Sequence, residues 1–406
     1  MKKLIKDILS QAIINIFYHL PEAILANIYY GFPARELKVI GVTGTDGKTT
    51  TVNMIYQILK AAGKKVSMVS TINAVVGGKV MDTGFHITSP DPFSVQKFAS
   101  KAVNSGDEYL VLEVTSHALD QYRFWGIKFD IGVITNITHE HLDYHKTFEN
   151  YLITKLKLLK NVKHAIMNQE IKQKVGGVVT FGLDKGDFNQ KQVKLKLKIP
   201  GDYNIENALA SLAVAFVLGI DKKIALKTLE YFQGVTGRME EIENNKGIRI
   251  FIDFAHTPNG LEQALKALHS SRGPKDQQTT SGRLIAVIGA EGYRDVEKRA
   301  MMGEIAQRLS DYVIVTAVDP RGQLETINRQ IADGARKAGA KRDKNFFVID
   351  DREKAFDFAI NKLAKKGDTV GIFGKGHEVS MNLDGKAEIP WSDSEAVKRA
   401  IYGYQI

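Results

Sequence analysis

The segment 37–61 constrains this chain more than any other. A β-rich run, Leu37 to Val42, enters Thr43-Gly44-Thr45-Asp46-Gly47-Lys48-Thr49-Thr50, and a helical pattern follows from Lys48 to Ala61. Strand, glycine turn and helix in that order are the layout of a phosphate-binding loop. Gly44 and Gly47 let the backbone turn its N–H groups toward phosphate oxygens. In such a loop Lys48 reaches the β and γ phosphates and the Thr49 hydroxyl holds Mg2+. The strict pattern has glycine where this chain has Val42, with Gly41 one place earlier. The competing reading is an ordinary turn.

Further β runs at 66–71, 109–115 and 130–135 alternate with helical or loop segments, the rhythm of a parallel sheet covered by helices. A second α/β unit begins near Arg249, with strands expected at 248–254, 283–288, 312–316, 346–349 and 369–373. The fold class is α/β: a central P-loop-type ATPase domain followed by a Rossmann-like domain. The boundaries are a short helical segment 1–37 ending near Gly31-Phe32-Pro33, a central domain 38–236 and a C-terminal domain 237–406, hinged near Gly234 to Gly237. At 406 residues the chain exceeds one compact core. Ile205 to Leu218 reads as an alanine-rich helix. The stretch 185–198 alternates lysine with apolar residues and reads as an edge strand with one solvated lysine face. The polar segment 270–282 reads as a surface loop.

Composition narrows the chemistry. There is no cysteine, which excludes disulfides, thiolate zinc sites and cysteine nucleophiles. A net charge of +10 favours anionic partners, but no basic tract interleaved with aromatics supports nucleic acid. The start, MKKLIKDILSQAIINIFYHL, has an apolar stretch too short to span a bilayer. A buried or interfacial amphipathic helix is expected there, with a peripheral membrane contact as the alternative. The location expected is cytoplasmic.

Three groups invite a chemical reading. His139, Glu140, His141, Asp143 and His145 are dense for a chain with ten histidines, and their spacing alone suggests a metal site such as zinc. Glu113 closes a predicted strand, where a carboxylate can meet a cation or simply cap a helix. Lys155 lies on the helix after the histidine cluster, where a solvent-facing lysine is the default.

Taken in order, GVTGTDGKTTT (41–51), TSPDP (88–92), EVTSHALDQ (113–121), TNITHEHLDYH (135–145), Lys155, GDYNIENALA (201–210), GRME (237–240), DFAHTPNGLE (253–262), DPR (319–321) and GKGHE (374–378) resemble the Mur ligases. These enzymes add amino acids to peptidoglycan precursors, and the landmarks are most similar to the branch adding the third stem-peptide residue. The resemblance spans 35–406 and implies a ligase of cell-wall synthesis, and hence of cell shape and division. ATP phosphorylates the terminal carboxylate of UDP-MurNAc-L-Ala-D-Glu, and an amino acid then attacks the acyl phosphate.

The resemblance also assigns residues. Gly44, Thr45, Asp46, Gly47, Lys48, Thr49 and Thr50 hold ATP, with Asn204 and Asn207 on its adenine side and Arg238, Asp253 and His256 facing it. Mg2+ is held by Thr49, Glu113, His141 and a carbamylated Lys155, so the histidine cluster is not a zinc box. Lys48, Glu113, His141 and Lys155 form the catalytic set. Thr88, Ser89, Pro90, Ser116 and His117 contact the muramoyl substrate. Asp319, Arg321, Lys375, His377 and Glu378 lie toward the acceptor; Arg321 favours meso-diaminopimelate through a bidentate pair with a carboxylate, while Asp319 would attract an ammonium. From the residues alone, Asn204 reads equally as a helix N-cap, Arg238 as a hinge salt bridge and Lys375 as a loop lysine. Family members carry an N-terminal domain for the UDP end, whereas the loop here begins at Thr43; the UDP end is held differently or is absent from the substrate. The alternatives are the same chemistry on another acid, of folylpolyglutamate or poly-amino-acid type, or a nucleotide-binding protein without catalysis.

Overall fold

A computed structural model describes residues 11–81, 90–138, 140–173, 175–270, 282–293 and 296–403. Thr88, Ser89, His139 and positions 271–281 of the expected loop lie outside the described residues. The chain divides into two compact units, one of residues 1–198 with 203–232 and one of residues 199–202 with 233–406.

The first unit is built on a nine-stranded sheet. In chain order its strands are β1 (Lys38–Thr43), β2 (Val66–Val69), β3 (Ala74–Val76), β4 (Lys79–Met81), β5 (Tyr109–Glu113), β6 (Phe129–Ile134), β7 (His164–Asn168), β8 (Val178–Gly182) and β9 (Phe188–Asn189). The spatial order is β4-β3-β2-β5-β1-β6-β7-β8-β9. The β2–β3 and β3–β4 pairings are antiparallel, and the others are parallel. Strand β1 is buried from Val39 onward, as expected of a parallel strand covered on both faces. It lies between β5 and β6, with Val42 opposite Glu113 and Thr43 opposite Ile134. The carboxyl ends of all three strands therefore open on one place, where parallel α/β sheets bind ligands.

Helix Lys48–Ala61 follows β1 as the sequence predicts. Upstream, Gln11–Ile14 runs through a π-helical turn, Asn15–His19, into helix Leu20–Tyr30, which Gly31 ends in the left-handed conformation. Among the described residues no helix is long and apolar enough to cross a membrane.

The lysine-rich stretch departs from expectation. Phe188–Asn189 does form the edge strand β9, but residues 191–198 form no strand. The alternation survives as burial: Val193 and Ile199 are buried while Lys194, Lys196 and Lys198 are exposed. The N–H groups of Gln192 and Val193 turn back to the Asn189 carbonyl, so the pattern reports one-sided burial without a ladder. Asn204 is likewise no N-cap; it lies inside helix Asp202–Val217.

The second unit contains β10 (Glu240–Glu241), β11 (Arg249–Asp253), β12 (Leu284–Ile288), β13 (Tyr312–Val315), β14 (Phe346–Val348) and β15 (Thr369–Phe373), in the order β10-β11-β15-β12-β13-β14. All but the antiparallel β10 are parallel, and β11 to β15 occupy the expected positions. One face buries Ile250, Ile252, Ile285, Val287, Ile314 and Ile372 against Phe356, Ala396 and Val397 of flanking helices.

Beneath that core lies a fully buried ion pair. Arg352 Nε and Nη2 donate to the two Asp393 carboxylate oxygens at 2.8 and 2.7 Å. The guanidinium also donates to the carbonyls of Ala317 and Phe373, and the Trp391 indole N–H donates to Asp393. Such a pair is costly to half-remove, because the surviving charge stays buried. Arg352→Met is expected to cost about 3–5 kcal/mol, read as a lower urea midpoint, with a smaller loss in Arg352→Met/Asp393→Leu. A wild-type midpoint in the single variant would show that the pair is dispensable.

Candidate active site

The segment after β6 holds the glycine loop. Thr45 N–H donates to the Asn136 carbonyl at 2.9 Å and Asp46 N–H to Asn136 Oδ1 at 2.9 Å. Thr138 N–H donates to Thr45 Oγ1, and the Thr135 hydroxyl to the Asp46 carbonyl. Two loop amides are thus committed internally. Gly47 caps the following helix in a left-handed conformation, φ 81°, with no side-chain cap. A Cβ there would run into the Asn207 amide, so only glycine fits. The first N–H groups of a helix have no intrahelical acceptor, and here they face the loop as an anion site.

Two lysines serve this loop. Lys48 Nζ donates to the carbonyls of Gly44 and Thr45 at 3.1 and 2.8 Å. Lys155 Nζ donates to the Gly44 carbonyl at 2.7 Å. Lys155 is only 2% exposed, so the solvent-facing default for this lysine does not hold. Its stem runs from helix Phe148–Leu156 past the Tyr151 ring, with Nζ 4.7 Å from the ring centroid. Burial, and then the nearby Lys48 ammonium, push its pKa well down. Lys157, two residues on, pairs instead with Asp120 at 3.3 Å.

Glu113 closes β5 beside the loop. Its Oε2 accepts from the Thr49 hydroxyl and from Thr71 N–H, both at 2.9 Å. Its Oε1 is buried and without a hydrogen-bond partner among the described residues. A buried carboxylate oxygen left open next to a threonine hydroxyl suits a hard divalent cation. Among the described residues no three His, Asp or Glu side chains converge as metal ligands.

Imidazoles and phenols pack nearby. His117 lies 4.7 Å from His141 and 4.3 Å from Tyr144 between ring centroids. His141 is in a left-handed conformation at the start of helix Leu142–His145, with Glu140 at 3.7 Å. His145 shares a hydrogen bond with Ser116 Oγ, and burial first, then His141, Lys155 and Lys157, bring its pKa down to about 4. Tyr151 hydrogen-bonds Thr45 Oγ1 at 3.0 Å. Asp120 accepts from Tyr144 and from Asn15, at 2.9 and 2.8 Å. Burial alone would raise the Asp120 pKa, but these bonds and Lys157 hold it below the usual value. Beside the loop, Asn207 accepts from the Thr51 hydroxyl and donates to Asn204. Pro90 precedes Asp91, which caps helix Pro92–Asn104.

The second unit gathers the remaining expected residues at the carboxyl end of its sheet. Asp253 accepts from the backbone N–H of Met239 and Ala255, both at 2.8 Å, and so shapes the GRME and DFAH turns. Phe254 packs against the Arg238 guanidinium, 4.4 Å from the ring centroid, and against the imidazoles of His256 at 4.6 Å and His377 at 5.0 Å. Lys375 is 1% exposed and donates to both Asp319 oxygens at 3.1 and 3.0 Å, with Glu378 at 2.5 Å. Asp319 also accepts from Asn382 N–H, so its charge is neutralised within the unit. Arg321 Nε is buried without a partner among the described residues. Burial raises the Glu378 pKa against the pull of Lys375.

The sequence reading did not single out Asn136, Thr135, Tyr151, Asp120, Tyr144 or Phe254. All six lie within or beside the motifs, but their partners are distant in sequence: Tyr151 and Thr45 are 106 residues apart.

Residues 42–188 match the Mur ligase middle domain, and residues 237–376 match the Mur ligase, glutamate ligase domain. The UDP-N-acetylmuramoyl-L-alanyl-D-glutamate–2,6-diaminopimelate ligase of Clostridium botulinum is 35% identical over 93% of this chain and 81% of its own length. A solved structure of a UDP-N-acetylmuramoyl-L-alanyl-D-glutamate–2,6-diaminopimelate ligase superposes with a TM-score of 0.58 at 27% identity, covering 90% of this chain and 78% of that one. FolC of E. coli shares the fold, with a TM-score of 0.67 at 20% identity over 87% of this chain and 89% of that one.

One consequence of the geometry is a pH dependence of stability. Burial, then Arg238, Lys375 and His256, take the His377 pKa from 6.5 down to about 3. The unfolded chain therefore binds this proton first. The contribution is complete above 6.5 and is lost as pH falls toward 3. Urea midpoints measured between about pH 7 and about pH 4.5 are expected to fall more steeply for the wild type than for His377→Gln; parallel curves would contradict the assignment.

Proposed function

We propose, from the premise that this chain belongs to the Mur ligase family, that it joins 2,6-diaminopimelate to UDP-N-acetylmuramoyl-L-alanyl-D-glutamate at the expense of ATP. The members of that family are ATP-dependent amide-forming ligases. The observation that carries the reading is the convergence of the glycine loop, the Thr49–Glu113 pair with its open Oε1, and buried Lys155 at the ends of β1, β5 and β6.

In this reading the first amides of helix Lys48–Ala61 and Lys48 grip the ATP phosphates, and Asn204 and Asn207 line the loop on the adenine side. Thr49, Glu113 and His141 hold Mg2+, and the open Glu113 oxygen fits that role. A Mg2+ ion held by these residues would supply charge neutralisation to the transferred phosphoryl group. The substrate carboxylate attacks the γ-phosphorus, ADP leaves, and an acyl phosphate forms. The acceptor amine then attacks the acyl carbon, a proton is lost, and phosphate departs. Ser116 and His117, with Pro90, serve the muramoyl substrate, as do Thr88 and Ser89 in sequence. In the second unit, Arg238, Asp253 and His256 are assigned to ATP. Asp319, Lys375, His377 and Glu378 form the frame from which Arg321 recognises an acceptor carboxylate, and its unpartnered Nε supports this.

Lys155 is assigned a carbamate. Its depressed pKa favours the uncharged amine that CO2 requires. The N–C bond forms at Nζ, one proton is released, and an anionic ligand for a second cation results. Protein equilibrated with 13C-bicarbonate is expected to show a carbamate carbon resonance that Lys155→Ala lacks; identical spectra for the two would refute the modification.

The deciding assay is phosphate release from ATP with UDP-N-acetylmuramoyl-L-alanyl-D-glutamate and a panel of acceptors. Release is expected with diaminopimelate, and Glu113→Gln should lower kcat by about 100- to 1,000-fold. Release only with a pteroylglutamate as the acid would overturn the substrate assignment, and none with any pair would overturn the reading.

A further inference from the structure

The N-terminal helical segment is inverted relative to an ordinary surface helix. Its buried side carries small and polar residues: Asn15, Ala23, Ala26 and Asn27. Asn15 Nδ2 donates to Asp120, and Asn27 Nδ2 donates to the carbonyls of Ala23 and Trp125, so the inward face is fixed by hydrogen bonds. The outward side carries the large apolar residues. Leu25, Ile28 and Tyr29 fall at i, i+3 and i+4 of the α-helix and share one face, and Ile13, Ile16 and Phe17, around the π-helical turn, are exposed as well. Phe17 is 78% exposed and Tyr29 75% exposed. Aromatic side chains extend the patch: Phe93 lies 6.2 Å from Tyr29 between centroids, and exposed Trp125 lies in the turn whose carbonyl Asn27 holds. A patch this apolar is unusual on a freely soluble face.

Charge identifies the occupant. Between Gln11 and Ala34 the single formal charge is Glu22, with His19 at 3.9 Å. The ten residues before Gln11 contain Lys2, Lys3 and Lys6 against Asp7, interleaved with Leu4, Ile5, Ile8 and Leu9. Apolar helix face, flanking lysines and tyrosine and tryptophan at the margin are together the chemistry of an interfacial helix on an anionic bilayer. A protein partner would not require lysines next in sequence to so apolar a face, whereas a phosphate-rich lipid surface rewards both.

We propose that this face docks the protein on anionic lipid, with Ile13, Phe17, Leu25, Ile28 and Tyr29 entering the headgroup–acyl boundary. The full chain is expected to co-sediment with phosphatidylglycerol–phosphatidylcholine vesicles and only weakly with pure phosphatidylcholine. Lys2→Gln/Lys3→Gln/Lys6→Gln should lower partitioning by on the order of 100-fold, about fivefold for each lysine, and added salt should weaken wild-type binding. Phe17→Ser/Ile28→Ser/Tyr29→Ser should abolish binding while leaving ATP turnover in solution intact. Failure to sediment with anionic vesicles would overturn the proposal, as would undiminished binding by the serine variant. A concentration-dependent dimer that the same serines dissolve, seen by ultracentrifugation without vesicle binding, would assign the face to a second copy of the chain instead.

Discussion

The grip of Thr135-Asn136-Ile137-Thr138 on the glycine loop is the constraint from which the first unit is organised. Strand β1 sits between β5 and β6, so the residues leaving β6 necessarily meet the loop leaving β1. Asn136 accepts from two successive loop amides, through its carbonyl and its side chain. The peptide planes of Thr45 and Asp46 are thereby fixed, and the anion-facing N–H groups are narrowed to those at the start of helix Lys48–Ala61. A loop held at both ends needs little reorganisation when it binds, which is where electrostatic catalysis gains most.

That rigidity makes room for an uncomfortable neighbour. Lys155 is buried against the Gly44 carbonyl and the Tyr151 ring, close to Lys48. Two amines on one carbonyl, one of them shielded from water, disfavour a second positive charge. Glu113 answers with one satisfied oxygen and one open oxygen. Such a group costs about 1–3 kcal/mol when left unsatisfied. Natural proteins keep these costs where chemistry requires them. The second unit repeats the tactic in another form. Its buried Lys375 is compensated by Asp319 and Glu378, and among the described residues Arg321 Nε is one of the buried atoms left without a partner.

Much of the fold was legible because strong local signals agreed. The run into Thr43-Gly44 and the periodicity of 48–61 located β1 and its helix, and five short apolar runs located β11 to β15. Strands β3, β4, β7 and β8 were missed, since a run of a few residues becomes a strand only when a neighbour supplies the ladder. The lysine-rich stretch held only at Phe188–Asn189, which pairs with β8; residues 191–198 had the period of a strand and no partner to bond. Asn204 shows a third limit, because a residue suited to capping was placed inside the first turn of its helix.

The sequence by itself determined the chemistry available: a glycine loop with Lys48 and Thr49, a carboxylate at the end of a strand, an ordered series of Mur ligase motifs, and no thiol. Local composition and order suffice for this, because loop geometry depends on glycine positions and motif order follows the chain. Only the tertiary structure decided what those residues experience. It buried Lys155, opened one oxygen of Glu113, spent Asp319 on Lys375, and turned Phe17, Ile28 and Tyr29 outward. Each of these depends on which distant segment lies alongside. Periodicity records that a helix has two faces, but only packing chooses which of them meets the core.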